Sequence, residues 1–309
     1  MPAKILSKIS IILPVYKNQS AFLKTIKSLT DITDASREII IIDSSPAPMG
    51  SELFANPGIT YQHSKKRLFA GAARNQGAGL ATRDWFYFLD SDCSPYADFF
   101  ARLEEQMARH PDAAAFNGLV FYETPKASPD FHLHILEFHE YSSQKCRHPR
   151  FLHSGNLVIQ KKLCEKVGGF RADIPMCTDF SFFAQMPQED LKHCHYIPGL
   201  SITHQAHYVD PNKINEKLKQ MGYWRGFVES QIPAPLQIHR KVLIRYFPIL
   251  LPFSFLAIII WRSLKLDSLY KYQALRATIA LFRFCRIWAG GFWKGLQDGK
   301  SRLDPRSPS

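Results

Sequence analysis

The stretch FLDSDCSP, residues 88–95, brings two carboxylates to one point at the end of an apolar run. Trp85 to Leu89 is aromatic and aliphatic throughout, which predicts a buried strand. Asp90 and Asp92 follow it with Ser91 between them, and Ser94-Pro95 turns the chain into a loop. In open sheets of parallel strands, ligands bind just beyond the carboxyl ends of the strands. Two hard oxygen ligands there suit Mg²⁺ or Mn²⁺, and such a cation in turn suits a diphosphate. An Asp-Ser-Asp turn can also do no more than solvate a strand end, so the rest of the chain has to decide.

Working outward, Ile9 to Val15 is a further strand pattern, and Pro14-Val15-Tyr16-Lys17-Asn18 leads it into a loop. Phe22, Ile26 and Leu29 recur at helical spacing. Ile39 to Ile42 is an unbroken β-branched run, as in a strand covered on both faces, and it ends in Asp43. Ile59 to His63 predicts a short strand and 72–81 a helix. This alternation argues for an α/β protein with a mostly parallel sheet flanked by helices. Farther on, Ala113 to Tyr122 reads as one strand and Leu157-Val158-Ile159 as another. A helix from Lys161 is stopped by Gly168-Gly169, and Thr178-Asp179 opens one more. His132, His134, His139 and His148 match no standard metal-ligand spacing.

Charge is unevenly placed. The formal net charge is +12, yet from Arg240 onward 13 Lys or Arg face 3 Asp or Glu, leaving the first 239 residues nearly neutral. The six cysteines form no CxxC pair, which fits a reducing compartment rather than a disulfide framework. Lys4 and Lys8 flank only Ile5-Leu6, so no secretory leader is expected.

Taken in order, ISIILPVYK (9–17), EIIIIDSSP (38–46), GAARNQGA (71–78), FLDSDCSP (88–95), GNLVIQKKLCEKVGGF (155–170) and CTDF (177–180) resemble the family 2 glycosyltransferases. The resemblance covers about residues 8–226 and implies the glycosyltransferase-A fold. It implies a nucleotide-sugar half at about 8–95 and an acceptor half at about 96–209. A nucleotide-sugar donor would be held by Pro14, Tyr16, Asp43, Arg74, Asp90, Gly155 and Asn156. A divalent cation, Mn²⁺ or Mg²⁺, would be held by Asp90 and Asp92, with His204 as a third contact and His207 competing for that place. Asp179 matches the catalytic base of an inverting transfer, where one carboxylate removes the acceptor's proton. The chain departs from the commoner pattern in two places: Ser44-Ser45 follow Asp43, and Thr178 precedes Asp179. Trp224-Arg225 resembles a basic aromatic segment beyond the core. The QxxRW signature of processive members is missing, since Gln220 is followed by Met-Gly-Tyr-Trp-Arg; addition of one or a few sugars per encounter is expected.

Residues 227–241 read as a linker, 242–295 as a membrane-associated helical region and 296–309 as a frayed tail. Tyr246 to Trp261 holds sixteen uncharged residues, broken by Pro248 and Pro252. As a straight helix it reaches about 24 Å, short of the roughly 30 Å hydrocarbon layer. Leu269 to Trp293 carries Arg276, Arg283 and Lys294 nearly in register beside Trp288, Phe292 and Trp293, the pattern of an interfacial helix, with a buried helical subdomain as the alternative. The expectation is a membrane surface as partner on the cytoplasmic side of the cell membrane, a glycan or lipid-linked acceptor, and no nucleic acid. Two rivals are a nucleotidyltransferase and a degenerate glycan-binding protein. The first needs a glycine-rich loop after its first strand, which residues 14–18 lack; retention of Asp43, Asp90, Asp92 and Asp179 together argues against the second.

Overall fold

The structure is a computed structural model and describes residues 4–34, 36–50, 57–123, 152–205, 211–232, 253, 257 and 278–303. It divides into two compact units, Met1–Glu123 with Arg147–Gln205, and Thr124–Cys146 with Ala206–Ser309. The four His residues between 132 and 148, His207, Arg276 and nearly all of 242–277 lie outside the described residues.

The first unit is built on a seven-stranded sheet. Its strands are β1 (Ile9–Val15), β2 (Glu38–Asp43), β3 (Ile59–His63), β4 (Trp85–Leu89), β6 (Ala115–Asn117), β8 (Asn156–Gln160) and β9 (Cys194–Tyr196), in the order β3-β2-β1-β4-β8-β6-β9. β1 and Ile39 to Asp43 of β2 are buried along their lengths, as the unalternating apolar runs require. β8 runs antiparallel to both neighbours, β4 and β6, within an otherwise parallel sheet. Its first residue therefore lies opposite the last residue of β4, with Asn156 paired to Leu89.

The single strand expected over 113–122 is in fact two. After β6 the chain leaves the main sheet at Gly118 and forms β7 (Val120–Tyr122), which joins a small sheet, β5-β10-β7, with β5 (Cys93–Pro95) and β10 (Ile202–His204). The reason is steric: a Cβ on Gly118 would lie 1.9 Å from the carbonyl oxygen of Leu200. The small sheet links the turn after β4, through β5, to the segment carrying His204.

The helices of this unit are α1 (Gln19–Ile32), α2 (Ala70–Leu80), α3 (Phe99–Arg109), α4 (Lys161–Val167), α5 (Thr178–Ala184) and α6 (Gln188–Leu191). Helix α2 presses on β1 through Gly77, where a Cβ would sit 2.5 Å from Ile12 Cγ2. Gly168, at φ 89°, ends α4 in the left-handed conformation its sequence predicts.

In the second unit, α7 (Pro211–Gln231) continues into the stretch read as a linker, and α8 (Thr278–Leu303) continues into the stretch read as a frayed tail. A glycine seam explains both extensions. Cβ atoms on Gly222 and Gly226 would lie 1.9 and 2.0 Å from the carbonyl oxygens of Trp288 and Phe292. Those on Gly291 and Gly295 would lie 2.1 and 1.8 Å from the carbonyl oxygens of Lys219 and Tyr223. Rising numbers on one helix meet rising numbers on the other, so the pair runs parallel with its backbones in contact. Phe227, Phe284, Cys285 and Phe292 are buried in this unit. Among the described residues no helix is long and apolar enough to cross a membrane.

Two substitutions in α8 separate seam from helix propensity. Gly295→Ala pushes a methyl into the Tyr223 backbone and is expected to destabilise by about 1–3 kcal/mol. Gly290→Ala meets nothing within 4 Å and is expected to stabilise by about 0.5–1 kcal/mol through helix propensity alone. Melting curves of the two variants should move in opposite directions; equal shifts would mean that the seam is not formed.

Candidate active site

The carboxyl ends of β1, β2 and β4 and the start of β8 lie together along one edge of the sheet, and the sequence-derived residues sit there. The turn after β4 is closed by a bond of its own and held from four sides. Asp90 N donates to Gly155 O (3.3 Å) and Cys93 N to Asp90 O (3.0 Å). Thr25 Oγ1, from α1, donates to Ser91 O (3.0 Å). Gln205 N donates to Asp92 O (2.9 Å), while Gln205 Nε2 donates to Thr25 Oγ1 (3.0 Å) and Ala21 O (3.1 Å). Finally, Arg74 Nη2 donates to Asp90 Oδ1 at 2.5 Å. Thr25 and Gln205 were not singled out from sequence; nothing in their local pattern shows that they meet across 180 residues.

Arg74 was expected to face the nucleotide. It is instead 3% exposed, its second amino group donates to Thr178 Oγ1 at 3.4 Å, and its charge lies 5.4 Å from the centre of the Phe170 ring. One guanidinium thereby joins the acidic turn to the first residue of α5. The neighbouring residues are matched to this task. Asn75 locks Phe170 in place, accepting from its N–H (2.8 Å) and donating to its carbonyl (2.7 Å). Gly71 lets α2 approach the carbonyl of Arg171 to where a Cβ would be 2.3 Å away.

Asp92 approaches His204, with Oδ2 3.8 Å from Nε2, at the end of β10. Asp90 and Asp92 are both partly exposed. Burial holds the Asp90 carboxyl above its usual range; Arg74 opposes that and the charge of Asp92 adds to it. The buried Cys93 thiol, 3.6 Å from Asp92 Oδ1, is pushed well up by burial and by both carboxylates. Gly155 makes room for the pair, since a Cβ there would come within 2.6 Å of Asp90 Oδ2 and 3.3 Å of His153 Nδ1.

Among the described residues no group of three or more His, Cys, Asp or Glu side chains is arranged to hold a metal. The turn offers two carboxylates with an imidazole beside one of them. That set fits a hard cation which brings further oxygen ligands with it, as Mg²⁺ does when one or two carboxylates share it with substrate phosphates.

Asp43 is fully buried. Its Oδ1 accepts from Ser45 N (2.8 Å) and its Oδ2 from Tyr61 OH (2.7 Å). The Tyr61 hydroxyl in turn accepts from Met49 N (2.9 Å), and burial together with Asp43 pushes its pKa up to about 12. Asp43 therefore shapes the loop after β2. That loop is also tied to β1, because Lys17 N donates to Ser45 Oγ (2.8 Å) and Ser44 N to Val15 O (2.9 Å). Tyr16 lies beside it, half-buried, with the Arg67 guanidinium 4.5 Å above its ring. Pro14 is buried within β1, paired with Ile42. Arg67 was missed in sequence, although the run Lys65-Lys66-Arg67 after a strand was a signal.

Asn156 was expected to line the donor sugar and is buried instead. Its carbonyl side accepts from Tyr87 OH (3.1 Å) and its amide donates to Leu200 O (2.9 Å). Asn117, also missed, donates to the backbone oxygens of His153 and Asn156 (2.8 and 2.7 Å). Asp179 lies in the first turn of α5, partly exposed, its Oδ1 accepting from Phe180 N at 2.7 Å. Asp173, a second carboxylate near it in sequence, is exposed and paired with Arg171. Of the basic aromatic pair in α7, Arg225 is paired with Glu229 at 3.2 Å and the Trp224 ring packs on Phe227.

His153, 3% exposed, has its pKa lowered to about 3, chiefly by burial and further by Arg74. An unfolded imidazole takes its proton near pH 6.5. Between these values the unfolded chain binds more protons, so stability is full above about pH 6.5 and falls as pH drops toward 3. Melting should show this acid-side slope, at most about 1.4 kcal/mol per pH unit from this residue. His153→Gln should flatten it; an unchanged slope would assign the acid sensitivity elsewhere.

Comparisons with known proteins bear on the fold and the family. In solved structures the fold is shared with the mannosyltransferase PcManGT of Pyrobaculum calidifontis in complex with GDP-Man and Mn²⁺, at TM-score 0.60 and 15% identity over 95% of this chain and 87% of that one. It is shared also with residues 1–349 of Staphylococcus aureus TarS in complex with UDP-GlcNAc, at TM-score 0.53 and 12% identity over 96% and 92% of the two chains. Among curated proteins, a glycosyltransferase of Haemophilus influenzae is 22% identical over 184 residues, 59% of this chain and 62% of its own. The amylovoran biosynthesis glycosyltransferase AmsB of Erwinia amylovora is 29% identical over 90 residues, 27% and 30% of the two chains. A glycosyltransferase of Rickettsia conorii is 40% identical over 96 residues, which span 30% of this chain and 16% of that one. The chain thus spans less than two thirds of the length of these curated relatives. The sequence profile of Glycosyl transferase family 2 matches residues 10–168, and the chain belongs to that family.

Proposed function

We propose that this protein is a metal-dependent, inverting glycosyltransferase that moves a sugar from a nucleoside-diphosphate sugar to a glycan or lipid-linked acceptor. The observation that carries the reading is the bridge by Arg74 between Asp90 of the acidic turn and Thr178 beside Asp179. It supports a single site in which leaving-group stabilisation and proton removal are held by one rigid group.

Asp90 and Asp92 would hold Mn²⁺ or Mg²⁺, with His204 next to Asp92. A divalent cation supplies positive charge that offsets the charge gained by a departing nucleoside diphosphate. The nucleoside would lie over the loops after β1 and β2, where Tyr16 offers an aromatic face and Asp43 braces the loop. Asp179 would take the proton of the attacking hydroxyl. Its Oδ1 is oriented by the Phe180 N–H at the start of α5. With a single base and a cation in place of a second acid, the expected outcome is inversion. Work on the cytoplasmic face of a membrane remains part of this reading, because most of the basic excess lies beyond residue 239.

Two variants test the division of roles, with the donor chosen by a thermal-shift screen of nucleotide-sugars in Mn²⁺. Asp179→Asn should keep donor affinity within a few-fold while turnover falls by roughly 10²–10⁴. Asp92→Ala should lose Mn²⁺-dependent donor affinity as well as rate. Near-normal turnover in Asp179→Asn, with a lowered melting point, would make Asp179 a helix cap and move the base elsewhere.

A further inference from the structure

Helix α8 presents two opposite faces of different chemistry. Phe284, Cys285, Ala289, Gly291, Phe292, Gly295 and Gly299 are buried, and the three glycines meet the α7 backbone or Ser230. Arg283, Arg286, Gly290, Lys294, Gln297 and Lys300 are exposed. The latter follow one another by steps of three or four residues, so they share one face of the helix. From Arg283 to Lys300 that face is about 25 Å long. Asp298, paired with Lys294 at 3.4 Å, is the sole acidic residue in the sequence of α8.

This arrangement changes how the segment can meet a membrane. An interfacial helix lowers its apolar face into the lipid. Here Phe292 is 2% exposed, and the Trp288 ring stacks on it at 5.1 Å. The side of α8 that could insert is used against α7. What is left outward is a row of spaced cations, too long for one phosphate group and matched instead to an extended anionic surface.

We propose that the exposed face of α8, carried by Arg283, Arg286, Lys294 and Lys300, is a docking surface for an anionic lipid bilayer. It engages the headgroups by charge without inserting apolar side chains. The inference deepens the reading of sugar transfer at a membrane and supplies the partner of that reading. Each Lys or Arg held at an anionic leaflet is worth roughly fivefold in partitioning, and the attraction decays within a Debye length. Binding should therefore require anionic lipid and be lost at high salt.

The test is cosedimentation of the full-length protein with vesicles of phosphatidylcholine alone or mixed with phosphatidylglycerol. The expected result is pelleting with the mixed vesicles only, at least tenfold weaker on raising salt from about 0.1 to about 0.5 M. Combining Arg283→Gln, Arg286→Gln, Lys294→Gln and Lys300→Gln should abolish it. The same variant should keep the thermal shift given by donor and Mn²⁺, which separates failure of the surface from failure of the enzymatic reading. Equal pelleting with both vesicles, or pelleting that ignores salt, would show apolar insertion and overturn the proposal. So would an unchanged quadruple variant, or capture by a duplex oligonucleotide with no response to the mixed vesicles.

Discussion

The ion pair between Arg74 and Asp90 is the constraint to which the rest of the site is fitted. Two carboxylates two residues apart repel each other, and burial raises the cost of keeping both charged. A buried cation beside one of them offsets that cost, and removing one partner of such a pair typically costs about 3–5 kcal/mol. The structure commits several otherwise unrelated residues to keeping the guanidinium in place. Gly71 and Gly77 let α2 lie close enough to the sheet and to Arg171. Asn75 fixes Phe170 through two hydrogen bonds, and the ring of Phe170 forms the floor under the guanidinium. Gly155 leaves the space that Asp90 Oδ2 occupies. Within the segment GAARN, Gly71, Arg74 and Asn75 are therefore mechanical parts whose residue types follow from what they touch.

Most of the framework was legible because it depends on local rules. Apolar runs marked β1, β2 and β4, and in each the first polar residues beyond the run marked the functional edge. The ordered motifs identified the family, and the acidic turn was readable from eight residues. What could not be read depends on tertiary partners. Asp43 and Asn156 were ligand contacts on the family resemblance, and the sequence could not show that Tyr61, Ser45, Tyr87 and Leu200 bond to their polar atoms. Asn117, Thr25 and Gln205 carry no pattern of their own and acquire a role only when β6, α1 and β10 converge. The break at Gly118 was hidden because both β6 and β7 are apolar, so periodicity alone joined them.

In the second unit the linker expected from 227 and the frayed tail expected from 296 are partly helix, while nearly all of 242–277 lies outside the described residues. The helices α7 and α8 associate through glycine, the residue that contributes least to hydropathy and most to close backbone approach. Gly222, Gly226, Gly291, Gly295 and Gly299 recur every four residues, a spacing that was present in the sequence and outweighed by the search for apolar runs. Phe292 is buried within this unit with the Trp288 ring stacked on it, and the charge beside them takes on the greater weight.

In the proposed reading Arg74 holds the acidic turn for a cation and ties it to Thr178, the neighbour of Asp179. Arg74→Lys keeps the charge but cannot reach Asp90 and Thr178 together as a planar fork does. Calorimetric titration of this variant with nucleoside diphosphate, with and without Mn²⁺, measures the claim directly. The account predicts Mn²⁺-dependent affinity reduced at least tenfold while the far-UV spectrum stays that of the native protein. Affinity equal to that of the native protein would contradict it.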